Sequence, residues 1–160
     1  MAWLFPWLLL LHVLAAIAGL GPSFTFPVIG AMGGGEPQHA NFAIRVSHAL
    51  ATRLVYPIGL TLPVTGVAMI LVTGVNLAAR EFYWLDLAIV IYTVTMGYSL
   101  LVQRNLINRV IALTSAPPPP GASGPPPEVT ALVGRISRGG GLSTVGLVAI
   151  IALMVIKPTI

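Results

Sequence analysis

The stretch LHVLAAIAGLGPSF, from Leu11 to Phe24, places one ionisable side chain, His12, in a long apolar run. Ionisable groups that enter a membrane usually mark function. An imidazole there can ligate a metal or a haem iron through a ring nitrogen. It can equally hydrogen-bond a backbone carbonyl, a threonine or a tyrosine of a neighbouring helix, and then serve packing alone. The sequence leaves both roles open for His12.

Small side chains share a helical face with His12 and with a second histidine, His48. Such stripes let helix backbones approach closely, which explains them without any ligand. A flat macrocycle such as haem also needs glycine-lined space beside an axial histidine, so the stripes suit that interpretation too. At about 100° per residue the faces carry Ala16, Gly19, Ser23 and Gly30 with His12, and Thr52, Gly59, Gly66 and Thr73 with His48.

Depth in the bilayer decides whether one iron can bind both histidines. At about 1.5 Å rise per residue, His12 lies roughly 13 Å below the outer boundary and His48 roughly 40 Å from it. A hydrocarbon core is about 30 Å thick, so His48 is predicted to lie near the opposite headgroups. If His12 binds an iron, a second ligand to that iron must come from a depth of roughly 9 to 18 Å. His12 is the predicted haem or metal ligand, and the predicted set for haem b is His12, Gly19, Met69, Tyr92 and Met96.

The composition identifies the kind of protein that must position these side chains. Hydrophobic residues make up 56% of the chain and charged residues only 8%, unlike soluble domains. The chain is therefore predicted to be an integral membrane protein. It has no cysteine, which excludes disulfides, thiolate metal sites, iron–sulfur clusters and cysteine nucleophiles. Methionines at the depth of His12 are also common packing residues.

Four apolar stretches are long enough to cross a bilayer, which takes about 20 residues each. Because their connections are short, the predicted fold is all-α, a four-helix transmembrane up-and-down bundle in one domain. The helix of the third span is predicted to continue as an amphipathic segment. The proline-rich loop is predicted to be an extended linker, with a ligand for a proline-binding domain as the alternative. The spans are placed at about 3–29, 50–75, 84–104 and 137–156, and the proline-rich loop at 115–127.

Prolines and glycines predict where the helices bend or stop. The first helix is expected to kink or end at Pro22 and Pro27, and the second to bend at prolines 57 and 63. Gly30–Gln38 is predicted to be a turn, and the glycines 139–141 to interrupt the last helix. A cleaved signal peptide is an alternative for the N-terminal stretch. However, no basic residue precedes the apolar run, and the apolar character continues past it.

Basic residues predict the orientation. Six of the eight belong to the first and third connections and two to the opposite side. By the positive-inside rule, both termini lie outside and the proline-rich loop lies in the cytoplasm. The basic residues behind the net charge of +4 are expected to contact anionic lipid headgroups, not nucleic acid. The two sets are Arg45, Arg53, Arg104, Arg109, Arg135 and Arg138 against Arg80 and Lys157.

Acidic residues occupy helix starts in this scheme. Glu128 follows the proline-rich loop, where a carboxylate suits a helix N-terminus. Asp86 begins the third span on the outer side and is a candidate ion-pair partner of Arg80. No chain of carboxylates lies within the spans, which counts against a pump or an ion-coupled transporter.

LHVLAAIAGLGPSF resembles the opening helix of a group of small bacterial membrane proteins. The group includes predicted integral membrane proteins of unknown function, CopD-like copper-resistance proteins and HemJ-type protoporphyrinogen oxidases. The resemblance covers Leu11 to Gly30 and, more loosely, Arg53 to Val72. In HemJ-like proteins the first-helix histidine is taken to be a haem ligand, which by resemblance falls on His12. HemJ-like proteins also use a lysine in a later helix, whereas the only lysine here is Lys157 near the end.

These observations favour a non-enzymatic, four-helix protein of a bacterial inner membrane. It would hold a haem or metal through His12, or act as an accessory subunit with membrane-protein partners or as a homo-oligomer. The alternatives are a haem-dependent membrane oxidoreductase or small b-type cytochrome, and a transporter component. A transporter would need oligomerisation, because one bundle of this size leaves little room for a polar path.

Overall fold

The computed structural model describes residues 2–115 and 124–158, and within them the regular structure is entirely helical. Each of four helices is long and apolar enough to cross a bilayer. They are α1 (Phe5–Gly35), α2 (Ala40–Thr73), α3 (Arg80–Leu113) and α4 (Pro127–Ile156). This confirms the predicted all-α fold with four membrane-spanning helices.

The first three helices each contain one five-residue π-helical segment. These segments are Ala16–Leu20 in α1, Ala51–Val55 in α2 and Ser99–Gln103 in α3. In α1 a 3₁₀ segment, Gly21–Thr25, follows before regular α-helix resumes. Two more 3₁₀ turns, Ala2–Leu4 and Pro37–His39, precede α1 and α2, and α3 opens with a third, Arg80–Phe82.

Proline accounts for two of the three π segments. Pro22 and Pro57 each stand two residues beyond the end of a π segment. A proline has no amide hydrogen, and its ring clashes with the carbonyl four residues earlier, which falls inside that segment in both helices. The wider π turn relieves the clash, so both helices are distorted there without ending.

The predicted turn at Gly30–Gln38 is wrong over its first six residues. Helix α1 continues through Gly35, and the chain leaves helical geometry only at Glu36, with φ −126° and ψ 80°. A Cβ on Gly33 would lie 2.9 Å from the Cβ of Ala43 in α2. Contact with a second helix at Gly33 therefore supports helical geometry in a stretch whose glycines have a weak intrinsic preference for it.

The predicted interruption of the last helix is also wrong. Helix α4 is continuous from Pro127 to Ile156. A Cβ on Gly139 would collide with the hydroxyl of Tyr98 and would lie 2.8 Å from Oε1 of Gln103. The missing side chain at Gly139 lets α3 pack close to α4, as small residues do at membrane helix interfaces.

The four helices form one bundle in which α1 packs against α2 and α3 against α4. Two tyrosines join the pairs: Tyr56 of α2 donates to the carbonyl of Ser99 (3.2 Å), and Tyr92 of α3 donates to the carbonyl of Gly59 (2.8 Å). At one end, Val110, Val129 and Leu132 form a small buried cluster that Ile44 of α2 also contacts.

Charged residues mark the two ends of the bundle. The start of α2, the end of α3 and the start of α4 meet at one end of the bundle, which we call the arginine-rich end. There Arg109 of α3 forms an ion pair with Glu128, which lies in the first turn of α4 as predicted. At the other end, Nζ of Lys157 lies 5.7 Å from the ring centre of Trp84. Arg80 and Asp86 form no ion pair in the described chain. Most of the predicted proline-rich loop, residues 116–123, lies outside the described residues.

Candidate functional site

His12 lies on α1, one turn before the π segment, and its half-buried imidazole faces α2. Its Nδ1 is 2.7 Å from Oγ1 of Thr65. This hydrogen bond joins two membrane-spanning helices and fixes the plane of the ring. It is also the kind of threonine partner that a purely structural histidine would have, so the bond alone does not separate the two roles.

The hydrogen bonds of Thr65 suit one tautomer of the His12 ring. Its Oγ1 lies 3.1 Å from the carbonyl oxygens of Thr61 and of Leu62, both on its own helix. A hydroxyl has a single hydrogen. When that hydrogen goes to one of these carbonyls, Oγ1 accepts a hydrogen bond from Nδ1–H of His12. The lone pair of the imidazole is then on Nε2, the nitrogen that a metal would bind.

Gly66 leaves the surface of α2 open beside the imidazole. A Cβ built on Gly66 would have one neighbour within 4 Å, Cε1 of His12 at 3.6 Å. That is an ordinary van der Waals contact. Beside Gly66 only the His12 ring approaches α2 within that distance, in contrast to Gly59, where a Cβ would lie 2.7 Å from the methyl carbon of Met96 in α3.

Among the predicted second ligands, Met69 is the one that lies on α2, close to Thr65. It follows Thr65 by four residues, and side chains with that spacing share a helix face about 5–6 Å apart. Its side chain is half-buried. A thioether here could contribute to a histidine–methionine haem site or pack between α1 and α2.

The other three residues of the predicted haem set, Gly19, Tyr92 and Met96, meet at Gly59 instead. The hydroxyl of Tyr92 donates to the Gly59 carbonyl (2.8 Å), and the methyl carbon of Met96 would lie 2.7 Å from a Cβ on Gly59. A Cβ on Gly19 would lie 2.9 Å from the backbone nitrogen of Gly59. Here α1, α2 and α3 converge, and Met96 belongs to a buried cluster with Ala51, Val55 and Tyr56.

The five predicted residues therefore occupy two levels of the bundle. Gly59 precedes Thr65 by six residues, which corresponds to roughly 9 Å along α2. His12 and Met69 belong to the level of Thr65, whereas Gly19, Tyr92 and Met96 belong to the level of Gly59. The geometry does not bring Tyr92 or Met96 to His12, because both side chains are engaged at Gly59.

The remaining histidines lie far from His12. His48 precedes Thr65 by seventeen residues of α2, roughly 25 Å along the helix. His39 lies in the turn between α1 and α2, and its Nδ1 is 2.8 Å from a carboxylate oxygen of Glu36. Among the described residues no group of three histidine or acidic side chains could hold a metal ion.

Three further polar residues gain importance from the structure. Thr65, the partner of His12, is absent from the predicted set, although its depth in α2 is a usable signal. Tyr56 is buried and bonds across to α3, and nothing in its sequence context indicates this. Gln103 donates to the carbonyl of Ile136 in α4 (3.2 Å), while its own Oε1 is buried without a hydrogen-bond partner in the described chain.

Four long apolar helices in a single bundle define a four-helix integral membrane protein. The chain belongs to a family described as predicted integral membrane protein (DUF2269), whose profile matches residues 6–158. Comparisons with curated proteins and with solved structures give no match. Family membership thus supports integration into a lipid bilayer and carries no activity with it, so function has to be argued from the site.

Proposed function

We propose that the protein is a haem-binding integral membrane protein in which Nε2 of His12 ligates the iron of haem b. The observation that carries the proposal is that the imidazole of His12, bonded through Nδ1 to Oγ1 of Thr65 (2.7 Å), lies beside Gly66, where a Cβ would have no neighbour within 4 Å other than the imidazole itself. Histidines that bind metals commonly donate their second ring nitrogen to a fixed partner, which sets the tautomer and the orientation of the ring. Thr65 supplies such a partner.

The surroundings of His12 fit a flat ring better than those of Gly59. Gly66 leaves open space beside the imidazole, and Met69 lies one turn further along the same face of α2. Met69 would therefore be the candidate for a second ligand to the iron. At the Gly59 level the backbones of α1 and α2 touch, so Gly19 serves helix packing in this proposal and not the haem.

Haem would supply one-electron chemistry, and the protein's residues would supply ligation and orientation. His12 would hold the iron, Thr65 would fix the imidazole, and the apolar helices would keep water away. No enzymatic step follows from these residues, so the proposed role is that of a b-type haem carrier in a membrane.

The test is the absorption spectrum of protein purified in mild detergent from haem-replete cells. We expect a Soret band that His12→Ala abolishes and that His48→Ala, a matched histidine variant at the far end of α2, leaves intact. Met69→Leu is expected to change the band positions while some haem is retained. A colourless wild-type preparation, or a band that survives His12→Ala, would overturn the proposal.

We also propose that both termini lie on the outer side of an inner membrane. The support is the clustering of the arginines where the start of α2, the end of α3 and the start of α4 meet. Cysteines introduced at Trp3 and at Pro158 are expected to react with a membrane-impermeant reagent from outside. A cysteine in the 116–123 loop is expected to react only after the membrane is opened, and the reverse pattern would contradict this orientation.

A further inference from the structure

A second candidate site lies between α3 and α4, at the arginine-rich end of the bundle. An open cleft of about 570 Å³ is lined there by Val94, Thr95 and Tyr98 of α3 and by Arg135, Arg138, Gly139, Leu142 and Ser143 of α4. The α4 residues recur every three to four positions, so they form one continuous helix face. The cleft is separate from His12, which lies between α1 and α2.

Within the described part of the chain, Arg135 and Arg138 have no carboxylate partner. The chain contains four acidic residues, and Glu128 is already paired with Arg109 at this end. Glu36 bonds His39 in the turn between α1 and α2, and the other two acidic residues lie near the start of α3, at the opposite end. Neither Arg135 nor Arg138 takes part in an ion pair of the described chain. Their positive charge is thus not neutralised by a carboxylate of the described residues.

The hydrogen-bond donors in the cleft are free to turn toward an anion. Nε of Arg138 donates to the carbonyl of Gly134 (3.3 Å), which leaves its terminal nitrogens available. The hydroxyl of Tyr98 has no hydrogen-bond partner among the described residues, and its ring is held against α4 because Gly139 has no side chain. Ser143 and Thr95 donate to carbonyls of their own helices, so they can only accept.

The other end of the cleft is apolar. Val94 and Leu142 have exposed fractions of 65% and 74%, and in a membrane-spanning bundle such surfaces contact acyl chains. Positive donors at one end and an apolar wall at the other match an amphiphile, not a small free anion. Basic clefts between membrane helices are known to bind anionic lipid headgroups.

We propose that this cleft binds an anionic phospholipid. The phosphate is held by the guanidinium groups of Arg135 and Arg138 and by the hydroxyl of Tyr98, and one acyl chain lies along Val94 and Leu142. Guanidinium groups bind phosphate oxygens in pairs, which gives a defined orientation to the headgroup. This proposal does not depend on haem binding at His12.

Native mass spectrometry tests the proposal on the full chain released from nanodiscs of mixed phosphatidylglycerol and phosphatidylcholine. We expect the wild-type protein to retain phosphatidylglycerol in preference to phosphatidylcholine. The double variant R135Q/R138Q is expected to lose retention roughly 25-fold, since each arginine near an anionic surface contributes about fivefold. The matched control R45Q/R53Q removes the same charge from exposed positions outside the cleft and is expected to retain the lipid.

Two further measurements separate a lipid site from general charge attraction. Tyr98→Phe keeps the ring over Gly139 but removes one donor, and is expected to weaken phosphatidylglycerol retention about tenfold. Inorganic phosphate at millimolar concentration is expected not to displace the lipid. Equal losses in R135Q/R138Q and R45Q/R53Q, or displacement by inorganic phosphate, would overturn the proposal. Circular dichroism of each variant checks that the helical content is unchanged.

Discussion

Helices α1 and α2 meet at the level of Gly59 and again at the level of His12, and the same stripe of small residues has different consequences at these two levels. At the Gly59 level the backbones approach so closely that a Cβ on Gly19 would lie 2.9 Å from a backbone nitrogen. At the His12 level a Cβ on Gly66 would touch only the imidazole, at 3.6 Å. A glycine stripe in a membrane helix can therefore mark tight packing in one turn and open space two turns away.

The third helix explains this difference. Tyr92 and Met96 of α3 both reach Gly59, so three helices fill that level. At the level of His12, the imidazole contacts Thr65 and lies beside Gly66, both on α2. Packing density thus separates a structural level from one that could accept a ligand.

The largest expected effect is that of Gly19→Val. The new side chain would overlap the backbone of α2, which cannot move aside as a side chain could. We expect a loss of about 1–3 kcal/mol in the free energy of unfolding, the usual cost of overpacking. The measurement is unfolding in mixed detergent and dodecyl sulfate micelles, followed by circular dichroism.

Gly34→Val is the matched control, because a Cβ on Gly34 would have no neighbour within 4 Å. It makes the same chemical change near the end of α1. If both variants lost the same stability, the cause would be helix propensity, and the Gly59 level would not be the tightly packed one.

The next effect in size is that of Tyr92→Phe, which removes the hydrogen bond to the Gly59 carbonyl. The ring still fills its place, so we expect a loss of about 1 kcal/mol. The same unfolding measurement applies. Tyr83→Phe is the control, since the hydroxyl of Tyr83 makes no hydrogen bond within the described residues. A loss no larger than that of Tyr83→Phe would mean that the bond adds nothing to the packing.

Thr65→Val tests the level of His12. It keeps the shape of the side chain but leaves Nδ1 of His12 without its partner, and we expect about 0.6 kcal/mol of destabilisation, typical of a hydrogen bond between membrane helices. In protein that carries haem, the Soret band is expected to shift or weaken. Thr73→Val is the control, because Thr73 bonds only carbonyls of its own helix. Identical spectra for wild type and both variants would remove Thr65 from the proposed site.

The smallest expected effect is that of Gly66→Ala. The methyl group would meet Cε1 of His12 at an ordinary contact distance, and alanine is the better helix former. We expect stability within about 0.5 kcal/mol of wild type. Haem content relative to wild type is the informative readout, since the methyl group narrows the space beside the imidazole. A large loss of stability would show that this level is packed as tightly as that of Gly59.

The prolines show how far sequence reasoning about local geometry reached. Pro22 and Pro57 were expected to distort their helices, and each stands just beyond a π segment. The third π segment, Ser99–Gln103, has no proline near it, so the proline pattern does not predict it. Its first residue accepts a hydrogen bond from Tyr56, a contact between helices that a sequence pattern does not encode.

The candidate site also has features that the sequence predicts and features that it does not. Residue types and depth selected His12 and a methionine at a comparable level, because rise per residue is a property of any helix. They also selected Tyr92 and Met96, which lie at a similar depth but reach Gly59. Depth along the bilayer normal can be counted from the sequence, whereas direction around a helix relative to its neighbours depends on how the bundle packs. The haem-binding role of all five residues stays a prediction.

The sequence by itself determined that this chain spans a membrane with four helices, because bilayer thickness fixes the length and apolar character of each span. It also determined that an imidazole lies within the first of them. Only the tertiary structure decided that the glycines at 30–35 and 139–141 remain helical, that Thr65 holds His12, and that Arg135, Arg138 and Tyr98 share one cleft. The physical reason is that contacts between helices, as at Gly33 and Gly139, act against local propensity, and such contacts join residues far apart in the chain.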